Sequence, residues 1–261
     1  MTNLEGKIAV VTGAGTGIGR AAALLLAQAK ATVIVNGRRK EPLEETRALA
    51  RERRAGKIVP VAADVGTEEG AEAIIDAARA EGGLDCLINN AGVGWAFARV
   101  SQGSMAPLAD TPTAQWHDVM RINLDSVYFM CKRAIPEFRK RGGGNIVNVS
   151  SIGGMQGMMD AHTYSAAKAG MINLTRSLAK TYGPENIRSN VVSPGITDTD
   201  MVDPVLGTAL NPFENPATRY AACPLGRAGT PDEIAHGIVF LATVGTYCNG
   251  TVLVIDGGTS A

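Results

Sequence analysis

The sequence predicts a doubly wound α/β protein, a parallel sheet covered by helices on both faces, and three observations carry that expectation. Strand-like and helix-like stretches alternate at least six times along the 261 residues. The strands are continuous apolar runs, as expected of strands buried on both sides. A cluster of glycines lies between the first strand and the first helix. The length suits a single domain, 1–261, with a sizeable core, and no Pro/Gly linker or fixed-period repeat divides it.

The first strand is expected over 7–12, a short β-branched run, followed by the glycine turn and an Ala/Leu-rich helix over 18–30. Residues 32–35 carry no charge and read as the second strand. Residues 41–54 mix Arg and Glu and read as a helix with a solvated, ion-paired face. A strand over 58–62, a helix over 68–81 and a buried strand over 84–88 follow. Thirty residues then separate Gly92 from Asn123. Their first part, 93–107, is rich in Gly and Ser with scattered aromatics and reads as a long loop of functional or mobile character. Two helical stretches are expected within 113–140, a strand over 145–149, and a helix over 164–182 closed by Gly183 and Pro184. The last elements are a strand over 188–192, a helix over 231–241 and a strand over 251–255. Between them, 194–222 contains several prolines and few periodic apolar positions and reads as a mobile covering segment.

Composition excludes several function classes. Twenty-five basic and twenty-five acidic residues give a formal charge of zero, and no basic stripe exists, which argues against a nucleic-acid partner or a charged disordered tail. No apolar stretch reaches the roughly eighteen residues needed to cross a bilayer, and no signal peptide is read before Lys7. Cys86, Cys131, Cys223 and Cys248 are far apart and form no C-x-x-C, so a reducing, cytoplasmic setting is expected. His117, His162 and His236 form no compact ligand cluster, and no metal site is expected.

Two groups of residues point to chemistry. Thr12-Gly13-Ala14-Gly15-Thr16-Gly17-Ile18-Gly19 lies where a strand turns into a helix. Glycine there permits a tight turn and close approach of a pyrophosphate to free helix N–H groups. Gly13, Gly17 and Gly19 are spaced G-x-x-x-G-x-G, and no Lys-Ser/Thr follows to make a Walker loop. After the second strand, Val35-Asn36-Gly37-Arg38-Arg39 has no carboxylate for ribose hydroxyls. A guanidinium there suits a 2′-phosphate, so Arg38 and Arg39 favour NADP over NAD; the plainer reading makes them surface arginines opening a charged helix. The second group is Tyr164 and Lys168, four apart and so on one helix face, with Ser151 just past a strand. An ammonium beside a phenol is expected to lower the phenol's pKa from about 10. A tyrosine so poised exchanges a proton with an alcohol or carbonyl oxygen, to which a serine hydroxyl also hydrogen-bonds.

These residues resemble the short-chain dehydrogenase/reductase family, of the classical kind, over nearly the whole chain. Thr12–Gly19 matches the family's T-G-x-x-x-G-x-G cofactor loop. Asp64, followed by Val65, matches the aspartate near the adenine, and Asn89-Asn90-Ala91-Gly92 the N-N-A-G segment. Asn123, Ser151, Tyr164 and Lys168 match the catalytic tetrad, and Pro194-Gly195-Ile196 with Thr199 the segment that cradles the nicotinamide. Pro224-Leu225-Gly226-Arg227 and Asp256-Gly257-Gly258 resemble C-terminal landmarks. The resemblance implies a Rossmann fold of about seven parallel strands with one dinucleotide at its C-terminal edge. It implies Tyr164 as acid/base, Lys168 holding the nicotinamide ribose and lowering the tyrosine pKa, Ser151 polarising the carbonyl, and Asn123 holding a relay water. It also implies a homotetramer.

The expected activity is hydride transfer between a nicotinamide cofactor, NADP with NAD as the alternative, and a secondary alcohol or ketone of small-molecule size. The alternatives are an epimerase or dehydratase on the same fold, or a dinucleotide-sensing regulatory or scaffold protein, against which the intact tetrad argues. The 93–107 segment is longer than usual for the family and, with 200–222, is expected to border the substrate. Trp95, Phe97 and Met105 either line a pocket or pack that loop onto the body. Met155, Met158 and Met159 either form an apolar wall beside Ser151 or fill core. Thr16 stands where some NADP-preferring relatives are basic. Cys223 reads as a small buried hydrophobe.

Overall fold

The computed structural model describes residues 3–202, 211–215 and 218–261. Asp203, most of 200–210 and residues 216–217 of the expected substrate-side segment lie outside the described residues. Seven strands, β1 (Ile8–Val11), β2 (Thr32–Gly37), β3 (Ile58–Ala62), β4 (Cys86–Asn89), β5 (Gly144–Val149), β6 (Ile187–Pro194) and β7 (Val252–Ile255), form one sheet. Their order is β3-β2-β1-β4-β5-β6-β7, and every pairing is parallel. Alternate side chains of each strand enter opposite layers. Ala9 and Val11 pack against α1 (Gly17–Gln28), α2 (Lys40–Glu52) and α7 (Pro231–Ala242). Ile8 and Val10 pack against α3 (Glu68–Ala80), α5 (Ser126–Lys140) and α6 (His162–Tyr182). The sheet is therefore doubly wound, and its strand order reverses between β1 and β4, which opens a crevice at their C-terminal ends.

The first helix is rich in small buried side chains, Ala21, Ala22, Ala23 and Ala27, which allow close packing with its neighbours. At α7 the Thr230 hydroxyl accepts from the Glu233 amide while the Glu233 carboxylate accepts from the Thr230 amide, and Pro231 occupies the first turn, where its missing N–H costs nothing.

Two expectations change. The two helical stretches of 113–140 are one continuous run: α4 (Thr113–Met120) passes into α5 through a π-turn, Arg121–Asp125. One inserted residue shifts the apolar phase without breaking the helix, so periodicity alone reads it as two pieces. The 93–107 segment is not featureless either. Trp95–Arg99 is a 3₁₀ turn, and Ser101, Ser104 and Met105 are buried. A three-residue period and burial against the start of α6 hide it from a 3.6-residue test.

Candidate active site

The glycine turn is locked by side chains from β4's exit. The Asn90 and Ala91 amides both donate to the Thr12 hydroxyl at 3.0 Å, and the Asn90 side-chain amide donates to the carbonyls of Thr12 at 3.0 Å and Gly13 at 3.2 Å. Gly13 is left-handed, φ 64°, and a Cβ there would lie 2.8 Å from the Ala91 Cα, so only glycine fits. The α1 N-cap, Thr16, makes no side-chain cap, and no acid occupies the first turn. The helix therefore presents N–H groups with no side chain satisfying them, to the crevice. Thr199 comes across from the other rim, its Cγ2 3.1 Å from the Cβ position of Gly17. Arg38 and Arg39 border an open depression with Gly13, Gly15, Thr16, Gly37 and Pro42, and neither makes an ion pair among the described residues.

Asp64 sits past β3, and its carboxylate is already engaged: Oδ1 accepts from the Gly66 amide at 2.9 Å, and Oδ2 pairs with Arg121 at 3.3 Å. Val65 behind it is buried. Arg121 was not singled out by the sequence. Its signal is its place two residues before Asn123 in the π-turn, but a partner 57 positions away leaves no local trace.

Asn123 is fully buried, and both ends of its side chain hold the main chain of Val93: Oδ1 accepts from the Val93 amide at 3.0 Å and Nδ2 donates to its carbonyl at 3.1 Å. Gly92 fits beside it because a Cβ would lie 2.7 Å from Asn123 Oδ1 and 3.4 Å from Lys168 Nζ. Ser151, Tyr164 and Lys168 line one cleft together with Ile18 and Asn90 beside the glycine turn and with Pro194, Gly195, Ile196 and Thr199. The structure thus gathers Ser151, Tyr164 and Lys168 in one cleft at the C-terminal edge of the sheet, with Asn123 buried behind it against Gly92 and Val93.

The electrostatics differ from expectation. Lys168 donates to the Val149 carbonyl at 2.9 Å, and its ammonium lies 5.7 Å from the centroid of the Tyr164 ring. Burial pushes the Lys168 pKa down to about 8. Burial likewise pushes the Tyr164 phenol above its ordinary value, and a hydrogen bond with Ser151 pulls it partly back. The expected lowering of the tyrosine pKa by the lysine is therefore not what this geometry gives. Spacing of four aligns the two side chains axially, but the ammonium turns to a carbonyl, and desolvation of the phenol prevails.

The ambiguous residues divide. Trp95 lines the cleft and lies against Tyr164, ring centroids 5.5 Å apart and tilted by 53°. Phe97 and Met105 pack with Val119 and Ala161, holding the loop to the body, and Trp95 joins the same cluster as well as lining the cleft. Met158 lines the cleft, whereas Met155 and Met159 are exposed. Met201 and Val202, two and three residues past Thr199, also line it, at the start of the 200–222 segment that was expected to border the substrate. All three histidines are exposed, and among the described residues no group of His, Cys, Asp or Glu can hold a metal ion. Cys223 is buried with its thiol 3.4 Å from the Gly257 carbonyl. Arg227 of the first C-terminal landmark pairs with Glu233 at 2.7 Å, and Asp256 of the second accepts from the Gly258 amide at 2.9 Å. Among the described residues no helix is long and apolar enough to cross a membrane.

Comparison with known proteins agrees with this geometry. A family model described as Enoyl-(Acyl carrier protein) reductase matches residues 13–260. A cis-4-hydroxycyclohexanecarboxylate dehydrogenase of Sinomonas cyclohexanicum is 41% identical over 98% of this chain and 97% of its own length. A 3-oxoacyl-[acyl-carrier-protein] reductase of Thermotoga maritima is 36% identical over 98% of both. Among solved structures, a short-chain type dehydrogenase/reductase from Mycobacterium marinum superposes with a TM-score of 0.88 at 29% identity, covering 99% of this chain and 97% of that one. With the glycine turn, the Ser-Tyr-Lys cleft and these relatives in agreement from end to end, the chain belongs to the short-chain dehydrogenase/reductase family and is an NAD(P)-dependent enzyme of that kind.

Proposed function

We propose that the chain interconverts a secondary alcohol and a ketone, with Tyr164 giving or taking the proton at the substrate oxygen and NADP(H) preferred to NAD(H). The observation that carries this reading is the convergence of Ser151, Tyr164 and Lys168 in one buried cleft beside the glycine turn. The residues fit a dinucleotide: Gly13 and Gly17 leave room for it, and the α1 amides face its phosphates. Val65, Asn90, Ala91 and Gly92 would flank it on one side and Pro194, Gly195, Ile196 and Thr199 on the other. When bound, the nicotinamide supplies or accepts the hydride.

The protein's own part is placement and proton transfer. A phenol held above its ordinary pKa is suited to donate its proton to a ketone oxygen. Ser151 shares the hydrogen bond with that phenol and polarises the same substrate oxygen. Lys168 would hold the ribose of the bound dinucleotide. The side chain of Asn123 is committed to Val93, so its main-chain carbonyl, in the looser π-turn, is the group assigned to a relay water. The relatives' names support the reaction class, since a ring alcohol and a 3-oxoacyl group are both alcohol/ketone substrates.

The NADP preference rests on Arg38 and Arg39 at the depression beside Thr16, with no carboxylate among residues 35–39. A cytoplasmic setting is supported by four free cysteines, three of them buried. A homotetramer of one-domain subunits, with 93–107 and 200–222 bordering the substrate, is supported by exposed Phe240, Val244 and Tyr247 at the end of α7 and by the half-buried edge strand β7.

The test is absorbance at 340 nm with a panel of ketones and both reduced cofactors. NADPH is expected to be consumed with a lower KM than NADH, and Arg38→Ala to raise the NADPH KM about tenfold or more while leaving that for NADH in place. An NADH preference in the wild type overturns the cofactor assignment, and a Tyr164→Phe enzyme of undiminished activity overturns the mechanism.

A further inference from the structure

We propose that Trp95 is the specificity-determining wall of the cleft, selecting a compact, uncharged, saturated ring as the carbon frame that carries the reacting oxygen; this rests on the alcohol/ketone reading above.

The indole is a fixed surface. Its neighbour Ala96 donates to the Met201 carbonyl at 3.1 Å, and the Phe97 amide closes the turn on the Gly94 carbonyl at 2.8 Å. Phe97 and Met105 bury the same loop against Val119 and Ala161. Trp95 is therefore held from both sides, and presenting its face costs little ordering on binding. Trp95 and Tyr164, their rings 5.5 Å apart and tilted by 53°, both line the cleft. Tyr164 is 5% exposed, so the apolar area at this end of the cleft comes from the indole rather than the phenol.

Two thioethers contribute to the remaining walls. Met158 is seated on Gly153, where a Cβ would strike its Sδ, and the Met201 sulfur lies 3.0 Å from the Cβ position of Gly94. Met side chains adapt to the outline of what they touch, whereas the indole does not. One rigid plane with pliable neighbours suits a slab-shaped body with a single broad face. A saturated ring offers that face in one conformation; an open chain of equal carbon number must freeze several rotors to do so.

Charge sets the rest. Among the described residues Lys168 is the single charged side chain lining the cleft, and its ammonium is turned to the Val149 carbonyl. A carboxylate or ammonium next to the reacting carbon would be desolvated with no partner. The described lining therefore favours a neutral frame at that point.

The experiment compares kcat/KM for cyclohexanone and 2-hexanone, with the cofactor the enzyme prefers, in the wild type, Trp95→Ala, Trp95→Leu and Trp95→Phe. Trp95→Ala and Trp95→Leu are expected to lower the ring-to-chain ratio about tenfold to hundredfold, and Trp95→Phe to restore most of it. The loss is expected mainly in KM, since the proton donor stays in place. A parallel fall for both ketones, or an unchanged ratio, overturns the proposal and leaves Trp95 a packing residue. If Trp95→Ala does not fold, the Leu and Phe variants decide. Failure of the wild type to reduce any ketone with either cofactor overturns the alcohol/ketone reading instead. The wall is then read by saturation-transfer NMR of the two ketones on cofactor-loaded protein: preferential cyclohexanone binding that Trp95→Leu abolishes upholds it, and equal binding of the two overturns it.

Discussion

At the N-terminal end of the sheet, Asp85 accepts from the Ile8 amide at 3.0 Å, from Lys7 at 3.1 Å and from Arg141 at 2.8 Å, while Arg188 donates to the carbonyls of Leu241, Gly245 and Cys248. At the C-terminal end, Lys168 is 3% exposed and has one acceptor among the described residues, the Val149 carbonyl. The hollow at the first end is larger, about 390 Å³ against about 120 Å³ for the cleft. Its size does not make it the chemical site. Those four charged groups are matched, by ion pairs or by backbone groups. The smaller cleft keeps a cation and a phenol that burial holds away from their ordinary pKa values. The two ends thus differ in how their buried polar groups are partnered: matched at the N-terminal edge, shifted by burial at the C-terminal one.

The sharpest way to break that contrast is to remove the unmatched charge. A lysine whose folded pKa is about 8, below its ordinary 10.5, favours unfolding wherever it must be charged. The penalty is full below pH 8 and fades as pH rises from 8 to 10.5. It amounts to roughly 3 kcal/mol, less about 1 kcal/mol for the hydrogen bond to Val149. Lys168→Met is therefore expected to lose activity by about a hundredfold or more and yet to unfold at higher urea than the wild type at pH 7. The gap should narrow at pH 10. A variant less stable than the wild type at both pH values would mean that the buried ammonium is not a liability.

The opposite sign is expected at the matched end. Burial works to raise the Asp85 pKa, but the Ile8 amide, Arg141 and Lys7 together outweigh it and leave it below the ordinary value. Its contribution is thus present above the ordinary carboxylate pKa and lost as pH falls through the lower folded value. Asp85→Asn is expected to cost about 1–3 kcal/mol at neutral pH by urea unfolding, with kcat of the folded enzyme unchanged. That cost should vanish in acid. Loss of kcat without loss of stability would show that the two ends are coupled.

Much of the fold and part of the site are legible in the sequence because their determinants are local. The apolar runs at Ile8–Val11 and Cys86–Asn89, the glycine turn and the Tyr164–Lys168 spacing each lie within a few residues. What was not legible is long-range or out of period. Arg121 finds Asp64 across the helix layer, and the Met201 carbonyl finds Ala96 across the cleft. The π-turn at Arg121–Asp125 breaks the helical phase that a periodicity test requires. The direction of the Tyr164 shift depends on burial by a loop whose own sequence has no regular pattern. Trp95 shows the limit most plainly: its place on the Tyr164 ring follows from how 93–107 folds over α6, not from any residue near it in the chain.

Backbone conformation offers the finest test of the same contrast. Lys30 and Arg54 are left-handed, but each leaves a helix, and the following amides, Ala31 to Leu26 and Ala55 to Ala50, satisfy the helix ends. Asp160 and Ala161 are left-handed in succession at the entrance to α6, where no such exit motif accounts for them. They are held there by the Ala161 amide, which donates to the Met105 carbonyl at 3.3 Å, and by the burial of Ala161 under the loop. Glycine relieves a left-handed side chain by up to about 1 kcal/mol. Lys30→Gly and Asp160→Gly are each expected to raise Tm by about 2–4 °C. Only Asp160→Gly is expected to lower kcat, by about two- to fivefold, because it loosens the turn that aims Tyr164 three residues into its helix. Equal kcat in both variants would mean that the strain before α6 is incidental to the position of the phenol.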